Sequence, residues 1–191
     1  MKRKNFKHTT QLLVIIGILM MTACGGKETG EEVISSTNQS NNSSCKKLSP
    51  EQAGEQVVAI YRKAMKETVD LLKNKPDAAS VEKTFNTSLE NYQNQLLKIG
   101  QHVMTMNSQQ KGVVESAINK EHMNMQINKE AKELFADFSK LIFEYRNHKE
   151  LYTNLKSINI ITQFAFFDLL KKQNQNAEQK WGDMMKPTSC K

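Results

Sequence analysis

The sequence predicts an all-α protein, an antiparallel up-down bundle of about four long helices spanning residues 49–191 behind a flexible tether. Three observations lead there. Apolar residues recur at helical spacing over windows longer than any strand. The chain holds only 3 Pro and 8 Gly, both scarce beyond residue 50, and is rich in Leu, Lys, Glu, Gln, Asn and Met, which favour helix over sheet. The connections between periodic stretches are short, and short connections make neighbouring helices antiparallel.

The first helix opens at Ser49, with Pro50 in the first turn, where its missing N–H costs nothing, and Gln52 placed to complete a capping box. Val57, Tyr61, Ala64, Thr68 and Leu71 form its inner face. The helix is expected to stop near Asn74, because Lys75 precedes Pro76 and the residue before a proline avoids helical geometry. Asp77 caps the second helix. Its stripe, Val81, Phe85, Leu89, Tyr92, Leu96, Ile99, Val103 and Met106, steps by four and three, the seam of a helix lying lengthwise on another.

A turn at Asn107 and Ser108 leads into a third helical region running to about Asn147, with a seam at Ile127, Ala131, Leu134, Phe138, Leu141 and Tyr145. Val114, Ile118 and Met125 follow another phase. A break is therefore expected between Asn119 and Asn128. The fourth segment begins near Lys149 and becomes apolar nearly all round from Ile158 to Leu170. Helical and strand periods both fit there. A lone strand would leave its backbone unpaired, so helix is expected. Trp181 is read as the cap of a core in preference to a residue resting in a lipid interface.

Ahead of the bundle, Lys2, Arg3, Lys4 and Lys7 precede an apolar run from Leu12 to Met21, which closes on Thr22, Ala23 and Cys24. This is the layout of a secretory signal at residues 1–23, and the run is too short for a permanent span, which needs about 20 apolar residues. The residues around Cys24 resemble the lipobox of bacterial lipoproteins, with Ala23 and Thr22 fitting and Met21 standing where Leu is usual. That resemblance implies that Cys24 receives diacylglycerol and becomes the first residue of a mature chain anchored in a membrane. Gly25 follows in place of the Asp that tends to hold such proteins at the inner membrane, so the outer membrane is preferred if the cell is Gram-negative. Residues 24–48 then form the lipidated cysteine and a linker. Gly25 to Ser44 is too polar to bury a core, and as a coil it spans about 25 Å.

Two thiols remain in an exported chain, where oxidation is permitted. In an up-down bundle Cys45 and Cys190 lie at one end, so a disulfide is expected, stabilising by at most about 5 kcal/mol. Loss of the four leader cations lowers the formal net charge from +7 to +3. With Lys and Glu interspersed, that balance excludes a nucleic-acid face as a reading.

The motifs of catalysis are missing from the sequence. No His stands in a Glu-x-x-His or His-Glu-x-x-His unit, and there is neither a phosphate-cradling glycine loop nor a nucleophile elbow. No cofactor is expected. The reading is a non-catalytic, membrane-tethered domain that binds or assembles with another envelope component; the apolar stretch is read as a buried central helix in preference to an exposed patch, and if a patch is left open to a partner its candidates are Ile160, Ile161, Phe164 and Phe167. One alternative is a Cu(I) or Ag(I) binder using His102, Met104, Met106, His122, Met123 and Met125, since thioether and imidazole suit soft metals. Helical rise argues against it, because Met123 stands about 22 Å along the helix from the turn at Asn107. A second alternative is an envelope hydrolase built on carboxylates that sequence cannot pair.

Overall fold

The structure, a computed structural model, describes residues 47–187, and these are helical with no strand among them. Cys24, Cys45 and Cys190 lie outside the described residues, and with them the expected lipid anchor, tether and disulfide. Helix α1 (Pro50–Leu72) begins with the expected capping box: the Ser49 side chain accepts from the Gln52 N–H, and Gln52 accepts from the Ser49 N–H. It ends at the Pro76 signal. Lys75 takes a positive φ, 49°, and so leaves the right-handed helical region that the following proline disfavours. Helix α2 (Ala78–Val103) is capped by Asp77, whose carboxylate accepts from the Ser80 N–H at 2.9 Å. Its seam behaves as the spacing predicts. Every member from Val81 to Met106 is buried except Leu89, which is half-buried against the core.

Helix α3 (Ser108–Ile127) starts with a second capping box, Asn107 with Gln110. The break falls at the far edge of the expected window. Asn128, in extended geometry, ends α3 and caps α4 (Lys129–Glu144) with its side chain. One residue between two helices turns the apolar row of α4 away from that of α3. Ile127, counted into the α4 seam by spacing, is consequently 76% exposed, whereas Phe138 and Tyr145 are buried. The Tyr145 hydroxyl donates to the Pro76 carbonyl at 2.7 Å, fastening the end of α4 to the turn between α1 and α2.

The fourth segment is not one helix. It comprises α5 (Lys149–Lys156), a 3₁₀ segment (Ser157–Ala165) and α6 (Phe167–Gln173), with α7 (Ala177–Trp181) after it. Leu155, Ile158, Ile161, Phe164, Phe167 and Leu170 are all buried, one residue in three. An α-helix falls about 60° short of a full turn in three residues, so after three such steps the row would point about 180° away. A 3₁₀ helix stacks i and i+3 directly. The row stays inward only in the tighter winding, and that is the geometry adopted.

Helix α1 packs against α2, α3, α4 and the 3₁₀ segment, which makes it the centre of the domain. Two glycines permit close approach. A Cβ on Gly100 of α2 would lie 2.4 Å from the Phe167 ring, and one on Gly54 of α1 would lie 2.8 Å from Ala117 of α3. The core also holds one carboxylate: Glu121 of α3 is 2% exposed and is met by Arg62 of α1 through both Nε and a terminal nitrogen. Trp181 is buried edge-on against Phe164, ring centres 4.9 Å apart, and closes the core near the end of the described chain.

Candidate binding groove

A groove of about 620 Å³ runs between α3 on one side and the 3₁₀ segment with α6 on the other. The α3 wall is a single helical stripe, Lys111, Glu115, Ile118, Asn119 and His122. The opposite wall carries Asn159, Ile160, Thr162, Gln163 and Phe166, followed by Asp168, Leu169, Lys171 and Lys172 of α6. Val103, Met104 and Met185 complete the lining. The 3₁₀ wall therefore mixes apolar side chains with amides and a hydroxyl. Period three explains this: with Ile158, Ile161 and Phe164 committed to the core, the two residues between each pair are left at the surface.

Charge collects at one end. Lys111 of α3 reaches Asp168 of α6 at 3.8 Å, which places the first turns of these two helices together. Lys171 pairs with Glu178 at 2.6 Å and holds that carboxyl below its usual range. Lys172 on the α6 wall and Glu115 on the α3 wall make no ion pair among the described residues, so the groove keeps one unpaired cation and one unpaired anion on opposite walls. Elsewhere the lining includes Asn119, Asn159 and His122. The His122 ring meets the buried Tyr61 ring edge-on at 5.6 Å.

Gln163 stands out within the wall. Its Oε1 is buried with no hydrogen-bond partner in the structure. A buried acceptor left unmade costs about 1–3 kcal/mol, and native structures hold few such groups.

Sequence reasoning placed the partner patch on this segment, and the structure divides it. Ile161, Phe164 and Phe167 are core residues, because they belong to the period-three row, while Ile160 is 54% exposed and lines the groove. The six soft-metal candidates differ in exposure. Met106 and Met125 are buried in the core, Met123 is exposed, His102 is half-buried, and only Met104 and His122 line the groove. Among the described residues no group of three or more His, Cys, Asp or Glu could hold a metal ion, and no helix is long and apolar enough to cross a membrane. Gln163, Asn159 and Lys172 were not singled out by sequence as groove residues. The only signal available was the Lys171–Lys172 pair, one of the longest basic runs beyond the leader.

No family model matches the chain, and neither a curated protein nor a solved structure is similar to it.

Proposed function

We propose that this is a lipid-anchored protein of the cell envelope whose helical domain binds another envelope component without catalysing a reaction. The observation that carries the binding half is the groove itself, whose exposed wall combines Ile160, Phe166 and Leu169 with amides and Lys172. Concave sites that mix apolar lining with a few polar groups are where ligands are held. The anchoring half rests on the lipobox-type leader ending at Cys24 and on the polar linker behind it.

In the same reading the domain is an up-down bundle. Its four members are α1, α2, the α3–α4 pair and the segment from α5 to α6. The tight turns at Lys73–Asp77 and Met104–Asn107 support antiparallel neighbours, as does the central packing of α1. A Cys45–Cys190 bridge would then close the domain at the end from which the linker leaves.

The experiment joins fractionation with site-specific crosslinking in cells, using a photoreactive residue at Ile160. The expected outcome is a membrane-bound protein that Cys24→Ser releases, crosslinking to one defined envelope protein from Ile160 and not from the exposed Lys140 of α4. Unchanged fractionation of Cys24→Ser, or equal crosslinking from both positions, would contradict it.

A further inference from the structure

We infer that the groove takes an extended peptide segment bearing apolar side chains and a carboxylate. The inference rests on the reading of the domain as a binding module and is independent of the lipid anchor.

Length comes first. Lys111 to His122 is eleven residue steps along α3, about 16 Å at 1.5 Å per step, which accommodates roughly five residues of extended chain at about 3.3 Å each. The volume, about 620 Å³, suits an occupant of that size.

Chemistry then separates a peptide from an acyl chain, the other slender apolar occupant for a protein near lipid. A hydrocarbon offers no hydrogen bond. Laid along this wall it would cover Asn159 and Gln163 and leave their amides unpaired, adding to a penalty Gln163 already carries. A peptide presents an N–H or a C=O at every residue. The Gln163 amide carries both a donor and an acceptor, and a peptide backbone offers the complementary C=O and N–H that a hydrocarbon lacks. The apolar side chains of the same peptide rest on Ile160, Phe166 and Leu169. Its carboxylate pairs with Lys172 of α6, which makes no ion pair among the described residues and stands on the wall opposite the unpaired Glu115 of α3.

The test is selection from a displayed library of random dodecapeptides on the full chain in detergent, with counter-selection on Ile160→Arg and resynthesis of the enriched peptides. Enriched peptides are expected to combine Leu, Ile or Phe with Asp or Glu. Their binding is expected to weaken about tenfold or more in Lys172→Glu, an exposed position that leaves folding intact, and by a similar factor in Gln163→Leu. Trp181 emission, which reports the core, stays unchanged in both variants. Failure to enrich any peptide over the Ile160→Arg control, or enriched peptides that bind both variants as tightly as the parent chain, would overturn the inference. So would palmitate binding that Gln163→Leu strengthens, which is the behaviour of an acyl site. Any of these results leaves fractionation and crosslinking free to support or contradict the broader function separately.

Discussion

Arg62 and Glu121 join α1 to α3 through a two-pronged ion pair whose carboxylate is buried and whose guanidinium is half exposed. The asymmetry decides what mutation does. Arg62→Ala strands a charge inside the core and is expected to cost about 2–3 kcal/mol, the lower part of the range for a broken buried pair, since water reaches the arginine end. Replacing both partners, Arg62→Met with Glu121→Leu, removes the buried charge and is expected to recover most of that loss. Urea unfolding followed by Trp181 fluorescence measures both. A double variant as unstable as Arg62→Ala would show that the pair contributes more than it costs to bury.

The period-three row predicts opposite behaviour for adjacent isoleucines. Ile161→Ala removes a buried side chain and is expected to cost about 2–5 kcal/mol. Ile160→Ala changes a largely exposed residue and is expected to fall within about 0.5 kcal/mol of the parent. Thermal melts of the two variants check the register. Similar losses in both would contradict the 3₁₀ winding.

Gly100 faces the Phe167 ring at a distance that leaves no room for a Cβ. Gly100→Ala gains about 1 kcal/mol of helix propensity and meets an overpacking cost of about 1–3 kcal/mol, so the net effect is destabilising. In a Phe167→Leu background the ring clash is relieved while the 3.1 Å approach to the Phe164 carbonyl remains, so the same substitution is expected to destabilise less than it does in the parent. Four-way comparison of unfolding free energies supplies the check. Simple additivity would rule out the contact.

Tyr61 supplies a pH test. Burial, and secondarily the Glu121 carboxylate, push its hydroxyl from 10.0 up to about 12. Between these values the unfolded chain has released the proton and the folded chain keeps it. The folded state then binds more protons, so stability falls as pH rises from about 10 to about 12. Tyr92 and Tyr145, also raised, add to the fall. Tyr61→Phe removes its share, so its stability is expected to decline less steeply over that window in urea titrations. An identical slope would contradict burial of the hydroxyl.

Helices whose ends carry their own chemistry were legible in the sequence. Ser49 with Gln52 and Asp77 announced the first two starts, Lys75–Pro76 the first stop, and the α2 seam its buried face. Two features escaped for physical reasons. Asn128 breaks the third region within a single residue, too locally for periodicity to place Ile127 on the correct side. From Leu155 to Leu170 the true period is three, which lies between the strand and α-helix templates and agrees partly with each. That error carried into the site. With Ile161, Phe164 and Phe167 grouped with Ile160 as candidates for one patch, the wall formed by Asn159, Ile160, Thr162 and Gln163 went unseen. The α3 stripe escaped as well, because Lys111, Glu115 and Asn119 read as an ordinary solvated face until α6 lies beside them.

Intact mass of the membrane-extracted protein tests the proposed anchoring most directly, measured with and without reductant and beside a Cys24→Ser version. The account predicts a chain starting at Cys24 that carries a lipid-sized addition, lost in Cys24→Ser, and that gains the mass of two hydrogens when Cys45 and Cys190 are reduced. An unmodified chain recovered in the soluble fraction would contradict the tethered binding module and return the domain to the class of secreted proteins, enzymes among them.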